Sequence, residues 1–449
     1  MTEENKHLES FAKEPLRDRD FTAAEVRVEA QRCLQCKVPL CRRGCPIGND
    51  IPKFIHALAA GDPVQAATYV YQHSDLPAIC GRVCPREKQC EGSCVWNHRG
   101  RPIAIGKLER FIADQAFSGR YIPRHVSTGQ AGKVAVIGSG PAGLSVARNL
   151  AMRDYAVTVW EAKDCPGGML MYGIPTFRLH KDVVLREVKL LEEMGVQFRY
   201  GVKIGQQQSP EFFWKEGFAA VFVGIGTAEE WNLGVKNEHC TGVIGATAFL
   251  EDVQKVQYGK AEVSSLPVRN GDRVVVIGAG NVAIDAARTA VRLGAVVTIV
   301  YRRAEKNMKC LPSEYEEAKE DGVQFQFYSA PCAVVGTDHV QGLQYEKQKI
   351  LEDATMVPTG EFGIIEADKI IAAIGNKPEE AVITQLQVKT QGDGYITVQK
   401  KPYGMTNYAG VFAAGDIVHK PATVVLAMRE GRKVAAGIDA YVRSLQKER

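Results

Sequence analysis

Nowhere in the 449 residues do 18 apolar side chains run together, so no stretch is long enough to span a bilayer as a helix. The sequence also lacks a block of like charge. Its 56 basic and 52 acidic residues are spread along the chain, and a formal charge of +4 with a pI near 8.3 does not create the field that nucleic acid or an anionic membrane requires. Neither is expected as a partner. The N-terminal MTEENKHLES is charged and has no apolar core of the kind a secretory signal carries, which sets the expectation of a cytoplasmic protein. Without export a disulfide framework is not expected either, so the 12 cysteines need another explanation.

What is present is uneven. Cys165, Cys240, Cys310 and Cys332 are scattered singly and read as ordinary buried thiols, whereas the other eight fall between Cys33 and Cys94. They form two runs, Cys33-x2-Cys36-x4-Cys41-x3-Cys45-Pro46 and Cys80-x3-Cys84-Pro85-x4-Cys90-x3-Cys94. Compact runs with a Cys-Pro step resemble ferredoxin loops, in which the last cysteine reaches across to a neighbouring cluster. Two clusters follow, with a pair of zinc sites as the competing reading that the spacing leaves open. Around the runs, amphipathic periodicity predicts helices over Phe21 to Gln31, Ile51 to Ala60 and Ile105 to Ala116.

After the polar stretch His125 to Gly132 the pattern changes to strand, glycine turn and helix, and it does so twice. VAVIGSGPAGLSVARNLAMRDYAVTVWE and VVVIGAGNVAIDAARTAVRLGAVVTIVYRR begin 140 residues apart. In the first copy Gly138, Gly140 and Gly143 supply the tight turn, the approach of a pyrophosphate and the close packing of helix on strand. Glu161, 23 residues after Gly138, ends the second strand where a carboxylate accepts from ribose hydroxyls, which suits FAD or NAD, and a Gly167-Gly168 pair follows. In the second copy Gly278, Gly280 and Ala283 take the same places, with Asn281 opening the helix. Tyr301 stands where Glu161 does, followed by Arg302 and Arg303, which suit the 2′-phosphate of NADPH. A solvated surface pair is the alternative reading of those arginines.

GVFAAGDI places Asp416 at a strand end beside a helix expected from about Thr423, an arrangement suited to the ribityl chain and ring of a flavin. VFVGIG and IIAAIG mark where the chain crosses between nested folds. A nicotinamide delivers two electrons together, a flavin can release them singly, and an iron–sulfur cluster carries one; zinc offers the flavin no outlet. Hydride transfer needs the nicotinamide held against the flavin, so no catalytic acid, base or nucleophile is assigned.

CLQCKVPLCRRGCPIGNDIPKFI, LPAICGRVCPREKQCEGSCV, PIAIGKLERFIAD, GGMLMYGIPTFRL, YRRAEKNM and GVFAAGDI together resemble the glutamate synthase small-subunit family over nearly the whole chain. That family includes the NADPH-oxidising half of dihydropyrimidine dehydrogenases and the large subunit of NADH-dependent ferredoxin:NADP oxidoreductases. The resemblance implies an α/β fold class: two nested Rossmann-type FAD and NAD(P) domains preceded by an α-helical domain carrying two 4Fe–4S clusters. The expected limits are a helical iron–sulfur domain over residues 1–125, FAD-binding parts over 126–240 and 376–449, and an NADPH-binding domain over 241–375. It further implies that Cys33, Cys36, Cys41 and Cys94 hold one cluster, and that Cys45, Cys84, Cys90 and Glu109 hold the other, leaving Cys80 outside the ligand set. The expected partner is a larger flavin-containing catalytic subunit, a glutamate synthase large subunit first among candidates. A pyrimidine-reducing subunit, an electron-bifurcating partner, ferredoxin, or further copies of the chain are the alternatives. A thioredoxin-reductase-like activity needs a redox Cys-x2-Cys beside the flavin, and Cys33 to Cys36, the one such motif, lies in the cluster run. A zinc-stapled interaction module on a degenerate dinucleotide fold is the nonenzymatic rival.

Overall fold

The structure is a computed structural model and describes residues 19–122, 125–205, 210–351 and 355–447. The chain divides into two compact units. Among the described residues, one comprises 19–171, 178–229 and 377–447, and the other Tyr172–Phe177 and Glu230–Asn376.

The first unit opens with helices Ala23–Gln31, Leu40–Gly44, Ile51–Ala59, Pro63–His73, Pro77–Val83 and Ile105–Ser118. Thr22 and Glu25 close a reciprocal capping box on the first of these, and proline in the first turn starts three of the others, where its missing N–H costs nothing. Phe54, Ile55, Val70, Leu108 and Ile112 are fully enclosed between them. Helices Pro77–Val83 and Ile105–Ser118 cross at backbone contact: a Cβ on Gly81 would stand 2.7 Å from the Arg110 nitrogen and 2.9 Å from the Gly106 carbonyl oxygen. Only glycine allows that approach. It brings Glu109 within electrostatic reach of Cys45, Cys80 and Cys90.

The same unit continues into a parallel sheet in the order Val411–Ala413, Ala220–Val223, Lys133–Ile137, Ala156–Trp160, Gln197–Arg199. Its strands are almost wholly apolar, as strands covered by helices on both faces must be. At the first turn Gly138 adopts φ +94, and a Cβ on Gly143 would lie 2.0 Å from the Gly138 carbonyl oxygen. Both positions therefore require glycine on backbone grounds. The final helix, Val424–Lys447, packs on Pro141–Ala151.

The second unit repeats the topology with Val243–Gly245, Lys369–Ala372, Arg273–Ile277, Val296–Val300, Gln324–Gln326. It adds an antiparallel sheet of Ser329–Val335, Gly342–Ile350 and Met356–Glu366. Tyr172–Phe177 also belongs to this unit, although the residues on either side do not. The Phe177 ring lies in the unit's core with the Arg288 and Arg292 guanidiniums 4.7 and 4.2 Å from its centroid. Asp321 bonds both arginines at 2.7 Å.

Candidate cofactor and cluster sites

Ser139, between the first two glycines, organises the first dinucleotide turn. Glu161 is buried and accepts from the Ser139 N–H at 3.0 Å, from the Ser139 hydroxyl, and from the Lys163 N–H at 2.9 Å. Ser139 Oγ in turn accepts from the Gly167 N–H at 2.9 Å. The carboxylate expected to meet a ribose therefore also ties the fingerprint to the Gly167-Gly168 loop, and Gly168 comes to rest against Gly140. The sequence signal for Ser139 was its place inside the fingerprint, which was read for glycines alone. A Cβ on Gly140 would meet nothing within 4 Å, so the turn is open where a phosphate must approach.

Burial pushes the Asp416 carboxyl up to about 6, against a partly compensating bond from the Ala422 N–H. Thr423 precedes the long C-terminal helix, and its Oγ1 is buried with no hydrogen-bond partner among the described residues. An orphaned hydroxyl near a buried carboxyl fits a polyhydroxylated ligand such as the flavin's ribityl chain.

In the second unit helix Asn281–Arg292 starts from Gly280, with open space where a Cβ on Gly280 would be. Tyr301 donates to the Asn307 carbonyl at 2.9 Å, and Arg302 and Arg303 are exposed at the strand end. Their position and freedom suit a phosphate ligand.

The cysteines separate into two groups. Cys33, Cys36, Cys41 and Cys94 line a single cavity whose other walls include Leu34, Ile51, Ile55 and Trp96. Burial, reinforced by the neighbouring thiols, raises Cys33 and pushes Cys41 up to about 11. The second group is Cys45, Cys84, Cys90 and Glu109. Burial raises Cys90 and pushes Cys45 up to about 11, and in both cases Cys84 and Glu109 add to the rise. Glu109 itself is pushed up to about 8 by burial, moderated by Arg86 and by the nearby Ser74 hydroxyl. Asn49 Nδ2 stands 3.5 Å from its carboxylate. Arg86, Ser74 and Asn49 carry no sequence signal for this role. Among the described residues no three His, Cys, Asp or Glu side chains converge closely enough to hold a single metal ion.

Similarity to known proteins bears on this arrangement. Residues 12–121 match the family described as dihydropyrimidine dehydrogenase domain II, 4Fe-4S cluster, and residues 132–431 match the pyridine nucleotide-disulphide oxidoreductase family. The glutamate synthase (NADPH) small chain of Escherichia coli K12 is 35% identical over 433 residues, which cover 93% of this chain and 92% of that one. The chain belongs to the glutamate synthase small-chain family. The Azospirillum brasilense member is 36% identical over 440 residues, covering 94% of this chain and 90% of that one. Among solved structures, Mycobacterium tuberculosis FprA in complex with NADPH superimposes with a TM-score of 0.59 at 18% identity, over 71% of this chain and 86% of that one. That likeness shows the fold. Family membership makes the chain an NAD(P)H oxidoreductase with an iron–sulfur domain before its two dinucleotide folds.

Within this family frame two details stand out. Cys33 and Cys36 are not an isolated redox pair, since Cys41 and Cys94 share their cavity. Cys80 is buried on helix Pro77–Val83 and hydrogen-bonds Cys84, and that bond together with burial holds its thiol well above the usual range. It stands beside the second group, outside the ligand set that the resemblance implies. Among the described residues, no helix is long and apolar enough to cross a membrane.

Proposed function

We propose that the chain is the electron-input component of a larger assembly, oxidising NADPH and passing electrons to a partner. When bound, the flavin takes a hydride from the nicotinamide, and its two electrons leave singly through iron–sulfur clusters. Gly138, Gly140, Gly143, Glu161, Gly168, Asp416 and Thr423 are assigned to FAD, and Gly278, Gly280, Asn281, Arg302 and Arg303 to NADPH. Cys33, Cys36, Cys41 and Cys94 are assigned to one 4Fe–4S cluster, and Cys45, Cys84, Cys90 and Glu109 to the second. Residues 1–125 form the iron–sulfur domain in this reading, with FAD parts over 126–240 and 376–449 around an NADPH domain over 241–375.

The observation that carries the proposal is the sorting of eight donors into two separate sets. An NADPH reductase without a one-electron outlet has no use for either. Four thiols lining one cavity fit a 4Fe–4S cluster, and an iron–sulfur cluster gives a flavin the one-electron outlet that zinc lacks. Helix Pro77–Val83, ending at Cys84, packs on Lys181–Glu193 and Val424–Lys447 of the first dinucleotide fold, which supports the second set as the one nearer the flavin. The first set is then the exit. The partner that the relatives' names favour is a glutamate synthase large subunit.

Anaerobic isolation of the tagged chain from its native cells, with mass spectrometry of what remains bound, tests the partner. A co-purifying flavin-containing subunit is expected; a chain that comes alone points to a diffusible acceptor such as ferredoxin. The ligand set has its own test. Glu109→Ala should change one of two cluster signals in electron paramagnetic resonance of the NADPH-reduced chain, and two unchanged signals would remove Glu109 from the set.

A further inference from the structure

Charge is nearly balanced over the chain but not around the first thiol group. The stretches Cys33 to Asn49 and Cys94 to Leu108 hold Lys37, Arg42, Arg43, Arg99, Arg101 and Lys107 and no aspartate or glutamate. Interleaved apolar residues hide this from a search for charge runs. Arg42 is paired with Asp50 at 2.6 Å, and Lys107 is half-buried over the Phe21 ring. Lys37, Arg43, Arg99 and Arg101 are exposed and have no ion pair among the described residues. Between these cations lie Leu34, Val38, Leu40 and Val95, exposed to 55, 54, 39 and 39%. Leu34, Leu40 and Val95 also line the cavity that the four thiols share, so apolar surface, cations and thiols belong to one place.

An apolar centre ringed by charge of one sign is the pattern of a transient docking face: the apolar part excludes water, and the ring steers and selects the partner. We infer that this face receives a protein carrying a one-electron centre behind an acidic surface. The inference rests on the reading of the first thiol set as the exit. Nucleic acid and membrane are poorer occupants, because the cations flank a thiol-lined cavity and do not extend into a longer basic track. Balance is kept if each NADPH oxidised reduces two such carriers by one electron each and releases one proton.

The test uses the full chain with its cofactors and two probes of opposite charge, an acidic plant-type ferredoxin and basic cytochrome c. Binding is measured by titration calorimetry at low and high salt. The acidic carrier should bind at low ionic strength and lose about tenfold or more in affinity as salt screens the contact, while cytochrome c should bind at least about tenfold more weakly at low salt. Lys37→Glu with Arg99→Glu should cut affinity for the acidic carrier about tenfold or more and flatten its salt dependence. NADPH-driven bleaching of the flavin should stay at the wild-type rate in that variant. Equal binding of both probes, or reversals that leave affinity within about twofold, overturns the inference. So does low-salt self-association that the same reversals abolish, which assigns the face to a second copy of the chain. Failure of NADPH to reduce iron signals in the wild type would instead strike the electron-path reading, and is seen without either probe.

Discussion

At the scale of single residues, two side chains hold energy that a point change can expose. Arg302 follows Tyr301, which stands where the first fold carries the buried Glu161, and in the proposed reading a charged hydrogen bond from Arg302 to a 2′-phosphate distinguishes the two folds. Arg302→Ala should cost on the order of 1.5 to 3 kcal/mol of NADPH binding and leave NADH binding unchanged, read by fluorescence titration of both; equal losses sink the assignment. Glu187, on helix Lys181–Glu193, is buried, and burial pushes its carboxyl up to about 7 despite Arg186, Arg148 and an N–H bond from Ala78. Between the ordinary glutamate value of 4.5 and about 7 the folded chain holds a proton that the unfolded chain has lost. Stability therefore falls as pH rises through that window, and the whole cost is present above it. Glu187→Gln keeps an acceptor for the Ala78 N–H and removes the charge. It should leave the urea midpoint unchanged near pH 4 and raise stability by about 1 to 3 kcal/mol at pH 8. A pH-independent difference would mean that Glu187 ionises freely.

Elements make a different point, because some were written plainly and others were not. Gly138, Gly143 and the alternating valines of Lys133–Ile137 made the dinucleotide turns legible, since their roles are local: a positive φ, a close approach, an apolar strand. Helix Pro63–His73 also had local signs, the Asp62 cap and Pro63, yet its apolar face is too mixed for periodicity to single out. Pro77–Val83 is short, and its reason for existing is nonlocal, the fit of Gly81 against Ile105–Ser118. Tyr172–Phe177 is the extreme case. Nothing in YGIPTF announces that it belongs with the second unit, because the decision lies with Arg288, Arg292 and Asp321, more than 100 residues later. The segment continues directly into Met171 and Arg178 of the first unit, so the chain passes from one unit to the other at both of its ends. Phe177→Ala should destabilise the second unit by about 3 kcal/mol. Urea unfolding of the variant checks the loss, and a midpoint equal to wild type would mean that the Phe177 ring does not anchor the segment.

On the scale of the molecule, the helical region and the first dinucleotide fold share one compact unit, and one buried carboxylate does much to join them. Asp75, just before helix Pro77–Val83, accepts from Ser145 at 2.6 Å and Asn149 at 2.8 Å, both on helix Pro141–Ala151. Arg148 and Arg432 stand 3.9 and 3.8 Å away, the second on the C-terminal helix. Three segments far apart in sequence meet on this side chain, two from the fold assigned to the flavin and one from the helices that carry the second thiol set. With the linkage intact, iron–sulfur region and flavin fold should unfold as one cooperative block. Asp75→Ala removes the acceptor that the buried Ser145 and Asn149 share and should cost about 1 to 3 kcal/mol. The loss should appear in calorimetry as a split of that block into two transitions, with the iron-dependent visible absorbance fading in one and bound flavin released in the other. If the wild-type chain already melts its iron–sulfur region apart from its flavin fold, Asp75 is not the joint, and the contact between thiol-bearing helices and flavin fold must be held by the helix packing alone.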